Sequence, residues 1–383
     1  MILGDLGADV IKVETPGSGD DTRSWGPPFA PNKDPSSTER PESAYFLGVN
    51  RNKRSITVNF KAPEGLDILH RLARTSDVVI ENFVPGKLDS MGLGYEELSR
   101  LNPRLIYASI TGYGPTGPYS GRSGYDVIIE AEAGLMHITG EPDGPPVKVG
   151  TAVTDLATGL YAHGAILAAL LARGRTGRGQ KVDVSLLETQ VTLLANVAHS
   201  YLIGGVEARR WGTQHSSIVP YQAFPTADGS IVFGAGNDRQ YAKLCTAALE
   251  RPDLAADPRF ATNGARVKHR RELVRAISDV TRTKPTAHWL RVLEPLGVPF
   301  GPVNSIAQTF EHPQVRHRNM VVEVDHPKSG PIKLVGIPVK YSDTTPSIRR
   351  APPVLGQDTR DVLVHELGFS HARVDELAEK GVI

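Results

Sequence analysis

Ser55–Glu81, SITVNFKAPEGLDILHRLARTSDVVIE, decides the fold. It opens on a short β-branched run, Ser55–Asn59, and closes on another, Asp77–Glu81. Between them Pro63-Glu-Gly65 begins a segment to Thr75 whose apolar residues Leu66, Leu69, Leu72 and Ala73 recur at helical spacing. A strand, a crossover helix and a second strand make a βαβ unit, and a βαβ unit builds parallel sheet. Working outward, further strands are predicted over Asp9–Glu14, Leu105–Ile110 and Lys181–Val184. Helices are predicted over Tyr95–Leu101, Gly124–Met136, Thr154–Ala172 and Ser185–Leu202. Five strands with crossover helices predict an α/β fold, a Rossmann-like large domain with a parallel sheet, over residues 1–202.

The character changes after Gly204. Val219–Phe224 and Gly229–Gly234 read as a hairpin around Ala227-Asp-Gly229, followed by helices near Asp238–Leu249, Arg271–Thr283 and Pro285–Leu296. Residues 203–313 are therefore expected to form a smaller α+β domain. The segment 314–383 carries β-like runs, Met320–Asp325 and Ile332–Val335, and a closing helix pair, but periodicity leaves open which domain it joins. Pro27–Pro41 holds five prolines without an apolar period and is expected to be an exposed loop or a disordered insertion.

With 383 residues, 40% of them hydrophobic and 22% charged, the chain can bury a sizeable core, which excludes global disorder. Its 43 Lys and Arg against 42 Asp and Glu leave a formal charge of +1, so no global field draws it to nucleic acid or anionic lipid. The single cysteine, Cys245, can form no internal disulfide, and neither CxxC nor HExxH occurs, so no metal is expected. The longest apolar stretch, Gly159–Ala172, is shorter than the roughly 20 residues a bilayer requires. Nothing at the N-terminus has the form of a signal peptide. These readings place the chain in a soluble intracellular compartment.

Gly112-Tyr-Gly114-Pro-Thr-Gly117 matches GxGxxG after a strand, but Pro115, Pro118, Ser120 and Gly121 keep a helix from opening there until about Gly124, so a dinucleotide site is not expected. Arg51-Asn-Lys53-Arg54 and the run Arg173–Lys181 could hold a phosphate, but solvated turns explain them equally. Arg266-Val-Lys268-His-Arg270-Arg271 reads as the polar face of a helix. Asp155 stands at a predicted helix start among small residues, Ala157, Gly159, Ala162, Gly164 and Ala165. An Asp there is commonly an N-cap, and the helix dipole would also keep it ionised, as a carboxylate nucleophile requires.

Gly4-Asp-Leu-Gly-Ala-Asp-Val-Ile-Lys-Val-Glu14, Asn52-Lys-Arg-Ser-Ile56, Val79-Ile-Glu-Asn-Phe-Val-Pro-Gly86 and Thr176-Gly-Arg-Gly-Gln180 together resemble the class III CoA-transferase (CaiB/BaiF) family, along nearly the whole chain. Gly124-Tyr-Asp126, Gly134–Gly140, Thr154–Leu160, Arg210-Trp-Gly-Thr213 and Ser217–Phe224 resemble most the branch that handles succinate, glutarate and hydroxymethylglutarate in mitochondria. The resemblance implies that the small domain is inserted, that the tail returns to the large domain, and that two chains interlock as a homodimer. It implies a mitochondrial location, or a cytoplasmic one in a bacterium.

In activity, it implies CoA passing between C4 to C6 dicarboxylic acids. Asp155 would attack the donor thioester, giving an acyl-aspartyl anhydride and then an aspartyl-CoA thioester, with CoA thioesters as substrates and no tightly bound cofactor. CoA contacts are implied at Val58, Asn59, Phe60 and Lys61 for the adenine end, at Asn82, Phe83, Val84 and Lys87 along the pantetheine and phosphates, and at Ser123, Gly124, Tyr125 and Asp126 beside the reacting group. Arg209 and Arg210, next to Trp211, are candidates for the distal carboxylate, and Trp211–His215 for a cover over the site.

Three departures from the family pattern stand out. Met1 lies inside a helix that the family precedes with a strand and an Ala-Gly-Pro turn, so a central strand is expected to be missing. Thr15 and Ser90 occupy positions that are basic in some relatives, and the glycine-rich flap of oxalate-handling relatives has no counterpart. A racemase of the same superfamily is the rival reading, but its motif has His where Tyr125 stands, and a phenol is a poor base at neutral pH. A non-enzymatic CoA-binding protein is the second rival.

Overall fold

The computed structural model describes all residues, 1–383, and is an α/β structure with parallel sheets. The chain divides into two compact units, one of residues 1–133, 151–193 and 310–383, the other of 134–150 and 194–309. The boundaries therefore fall at 193/194 and 309/310 rather than at 202/203 and 313/314, and the second unit also takes up 134–150. The 193/194 boundary and the transfer of 134–150 fall at helix breaks, whereas 309/310 falls within the helix Ile306–Glu311. The expected helix Gly124–Met136 ends at Glu132 and resumes at Leu135 after Gly134, whose φ of +85° interrupts it. The expected helix Ser185–Leu202 is two helices, Leu186–Leu193 and Ala195–Gly204, parted where Ala195 takes a φ of +46°.

In the first unit the strand, helix and strand of the quoted segment all form, but the two strands fall in different parallel sheets rather than in one. Strand β1 (Val10–Glu14) pairs in parallel with β2 (Lys53–Thr57), and helix α1 (Pro63–Thr75) leads to β3 (Val78–Glu81). Pro63 opens α1 at its first turn, where its missing N–H costs nothing, and Ile68, Leu69, Leu72 and Ala73 form its buried stripe. After α2 (Tyr95–Leu101), β4 (Ile106–Thr111) pairs in parallel with β3 on one side and β5 (Gln180–Ser185) on the other. β4 is buried almost throughout, as a central strand between two ladders must be, while β5 is largely exposed at the edge.

The five strands do not form one sheet. They divide into β1–β2 and β3–β4–β5, so β2 and β3 each pair on one side only. The C-terminal segment packs on the first of these. Asp358 Oδ2 accepts from the N–H of Ser55 (2.9 Å) and Thr359 Oγ1 from that of Thr57 (2.9 Å), while Val362, Leu363, Val374 and Leu377 join Ile56 and Ile68 in the core. Val321–His326 and Gly330–Val335 form an antiparallel hairpin. Within the proline-rich stretch Phe29–Ala30 pairs with Glu42–Ser43, so that stretch is a loop with a built strand rather than a disordered insertion.

In the second unit β6 (Tyr221–Pro225) and β7 (Ser230–Gly234) form the expected hairpin, extended by β8 (Phe300–Pro302). Helices pack over it on a core containing Phe224, Phe233, Tyr241, Leu273 and Trp289. Arg266 corrects the sequence reading. Instead of lying on a polar face it is fully buried, its fork donating to the carbonyls of Val219 (2.6 Å) and Phe260 (2.9 Å) and to Asp238 (2.7 Å). Its guanidinium also covers the Tyr241 ring at 4.3 Å, so each nitrogen of a costly buried charge meets a partner.

Candidate active site

Asp155 lies in the first turn of α4 (Val153–Thr176), a helix of 24 residues that ends at Gly177 in the left-handed conformation. Thr154, Thr158, Ala162, Ile166 and Ala169 form a narrow buried stripe on α4, which packs on β4, β5 and α5 (Leu186–Leu193). Small residues in that stripe let the helix lie close to the strands. The expected helix Thr154–Ala172 is thus longer than its apolar core. By length and composition alone it could cross a membrane, and only 28% of its most apolar window is buried.

The first turn of α4 is capped from outside. Asp126, first residue of helix α3 (Asp126–Glu132), accepts with Oδ1 from the N–H of Thr154 (2.8 Å) and of Asp155 (3.1 Å). The N-cap reading of Asp155 is therefore replaced: the capping carboxylate is Asp126, and that of Asp155 makes no hydrogen bond or ion pair and reaches solvent. Behind it Thr154 Oγ1 donates to Gln190 (2.7 Å), and Thr158 Oγ1 donates back to the carbonyl of Thr154 (2.7 Å), fixing the turn that carries Asp155.

Two positive helix ends meet at this pair and favour its charges. Partial withdrawal from water, and second the like charge of Asp126, nevertheless push the Asp155 carboxyl above the ordinary carboxylate range. The dipole is outweighed, contrary to the sequence reading. A carboxylate of raised basicity that is solvent-reachable and unpartnered is a nucleophile available to an activated carbonyl.

Glycines bring the two carboxylates together. A Cβ on Gly124 would lie 2.5 Å from the Cα of Gly112, and one on Gly112 would lie 2.7 Å from the Cα of Gly124. The GxGxxG segment thus serves a backbone crossing at the end of β4, and the helix that follows opens only at Asp126, so no dinucleotide turn forms. Ser123 and Tyr125, the latter 65% exposed, flank this crossing.

The other expected contact residues follow the carboxyl ends of β2 and β3, where open parallel sheets receive ligands. Asn59 Oδ1 accepts from the N–H of Lys61 (3.0 Å), and the Phe60 and Phe83 rings meet edge to face with centroids 6.3 Å apart. Glu81, bonded to Ser109, also accepts from the N–H of Phe83 (2.8 Å) and so shapes the Asn82–Val84 turn. Lys61, Asn82, Phe83, Val84 and Lys87 are exposed. Val58 differs. Its side chain is fully buried in the core and its N–H goes to the Glu14 carbonyl (2.9 Å), so it can shape an adenine site only from behind. Arg51 and Arg54 are already engaged by carboxylates rather than free for a phosphate: Arg51 forms a buried fork with Asp5, and Arg54, itself largely buried, pairs with the exposed Asp9 and Glu366.

In the second unit Arg209 lies over Trp211 with its guanidinium carbon 4.0 Å from the ring centroid. Arg210 donates from Nη1 to the His137 carbonyl (3.0 Å), tying 134–150 to the irregular segment that carries it. His215 stacks on Tyr221 and accepts at Nδ1 from the N–H groups of Ser217 and Ile218 (both 3.1 Å), which leaves its proton on Nε2. Sequence reasoning missed Arg270, whose guanidinium carbon also approaches Trp211, at 4.9 Å. The basic run around it reads as a solvated helix face until the fold brings Arg270 to the 214–216 turn.

Asp155 is thus a solvent-reachable carboxylate in the first turn of a helix that packs on the parallel strands of an α/β fold. The family described as CoA-transferase family III matches residues 1–359. Succinyl-CoA:glutarate CoA-transferase of Mus musculus is 52% identical over 383 residues, covering 100% of this chain and 86% of that protein. Succinate–glutarate CoA-transferase of Agrobacterium fabrum is 46% identical, covering 95% and 90%. Among solved structures, a CAIB/BAIF family protein from Brucella suis superposes with a TM-score of 0.85 at 44% identity, over 94% of this chain and 92% of that one. This chain belongs to CoA-transferase family III, and it is a transferase that acts on CoA thioesters.

Proposed function

We propose that the protein moves CoA between dicarboxylic acids of the succinate and glutarate class, with Asp155 as the covalent nucleophile. The observation that carries this is the Asp126–Asp155 arrangement: one carboxylate spent on the two helix N–H groups, the other unpartnered and more basic than usual. The named activities of the mouse and Agrobacterium relatives support the substrate class.

Asp155 attacks the thioester carbonyl of the donor, forming an anhydride and expelling CoA thiolate. The thiolate adds to the aspartyl carbonyl of the anhydride, giving aspartyl-CoA thioester and the free donor acid. The acceptor carboxylate then attacks that thioester, expelling CoA thiolate as a second anhydride forms. Attack of the thiolate on the acceptor carbonyl releases the new acyl-CoA and regenerates the Asp155 carboxylate. Each intermediate stays activated, so no other energy source is needed, but water has to be kept out. Phe60, Lys61, Phe83 and Lys87 are assigned to the CoA nucleotide and pantetheine.

The working form is a homodimer, its two chains interlocked. In support, α4 carries Leu156, Leu160, Tyr161, Leu167 and Leu171 exposed, Leu160 at 59% and Leu171 at 74%, far more apolar surface than scattered single residues leave. The direct test of the reading is a transfer assay by mass spectrometry. Wild type given succinyl-CoA and glutarate should produce glutaryl-CoA, and Asp155→Asn should lower turnover at least about a thousandfold. Absence of glutaryl-CoA with wild type, or near-normal turnover in the variant, would overturn it.

A further inference from the structure

We infer that Gln190 is a positioning residue for the reaction, the inner of two clamps that fix the turn carrying Asp155; the inference rests on the reading of Asp155 as the nucleophile above. Thr154 and Gln190 are both 0% exposed and Thr158 is 1% exposed, so the turn stands on a buried polar cluster. Thr154 is held at three points. Its N–H donates to Asp126 (2.8 Å), its hydroxyl donates to Gln190 Oε1 (2.7 Å), and its carbonyl accepts from Thr158 Oγ1 (2.7 Å). Asp126 clamps from α3 and Gln190 from α5, and these two helices pack on α4 as well as on each other.

The clamp on α5 is anchored where the glycines cross. The Leu187 N–H donates to the carbonyl of Gly112 (3.0 Å), and Ser185 and Glu188 bond each other reciprocally in the turn that opens the helix. Gly112 lies against Gly124, two residues before Asp126, so both clamps share one foundation. For stability alone the amide of Gln190 is a poor choice. Its Nε2 is buried with no hydrogen-bond partner within the protein, and an apolar group of similar shape would leave no such donor unpaired. What the amide supplies is an acceptor for the Thr154 hydroxyl, and with it the orientation of the next residue, Asp155. A reacting group displaced by about 1 Å loses on the order of a hundredfold in rate.

The test is a double-mutant cycle on turnover per folded enzyme, with succinyl-CoA and glutarate as substrates. Gln190→Met and Thr154→Val each remove one partner of the bond, and together they replace both by apolar groups of similar shape, so the double variant should melt at or above the wild-type temperature. Each single variant should lower kcat roughly ten- to a hundredfold while KM for succinyl-CoA stays within about twofold, and the double variant should fall no further than either single. Thr154→Ser, which keeps the hydroxyl, should turn over close to wild type. Wild-type kcat in the folded double variant would overturn the inference. So would losses that multiply in the double variant, which would mean that the two residues act separately, or a rise in KM with kcat unchanged, which would put Gln190 in substrate binding. Wild type that makes no glutaryl-CoA, or Asp155→Asn that turns over normally, would instead sink the reading on which the inference rests.

Discussion

Asp155 and Asp126 are adjacent carboxylates with separate work, and the separation predicts a pH dependence. Asp155 must be ionised to attack, and withdrawal from water together with the Asp126 charge raises the pH at which it ionises. Activity should therefore fall as pH drops through that raised pKa. In Asp126→Asn the amide oxygen still accepts both N–H groups but the like charge is gone, so the acid limb of kcat/KM should move to lower pH. A limb that stays or moves upward would contradict the coupling. The sign for stability is opposite. A raised pKa means the fold favours protonated Asp155, a contribution complete below the unfolded pKa and lost as pH rises through the folded one. Asp155→Asn should then melt at or above the wild-type temperature at neutral pH. The residues around Asp155 fit an N-cap as readily as a nucleophile, so the candidate was legible through the family resemblance of Thr154–Leu160, whereas its cap was not legible at all. Asp126 is 29 positions away in sequence and becomes its neighbour only through the glycine crossing.

At the scale of elements, β2, α1 and β3 each form as their periodicity demands because strand and helix periods are local properties. The failures are nonlocal. Apolar periodicity runs through Gly134 and through Leu194–Ala195, yet the helices break there, since a pattern of apolar residues does not state which body each half packs on. Arg266 was misread for the same reason. Its helical spacing was visible, but two of the groups it bonds, Val219 and Asp238, lie 47 and 28 positions away in sequence. The crossing of Gly112 and Gly124 offers the sharpest test at this scale. Gly124→Ala puts a methyl against backbone that cannot yield as a side chain can, and should cost about 2 kcal/mol in denaturant unfolding. The helix opening at Asp126 shifts with it, so turnover should fall at least about tenfold. Wild-type stability and rate in this variant would show that the crossing does not set the site.

For the molecule as a whole, the apolar surface of α4 makes a prediction about assembly. Only part of the helix is covered within the chain, and the proposed occupant of the rest is a second copy. Sedimentation of the wild type should give a dimer, and Leu160→Glu with Leu171→Glu should give monomers of greatly reduced turnover. A fully active wild-type monomer would contradict the proposed assembly. The covalent role of Asp155 is the central claim, and trapping tests it most directly. Wild type incubated with succinyl-CoA or glutaryl-CoA and quenched with hydroxylamine should carry a hydroxamate on the peptide containing Asp155, in proportion to the active enzyme, and Asp155→Asn should carry none. Active wild type with no adduct on that peptide at any time point, or an adduct that persists in Asp155→Asn, would contradict it.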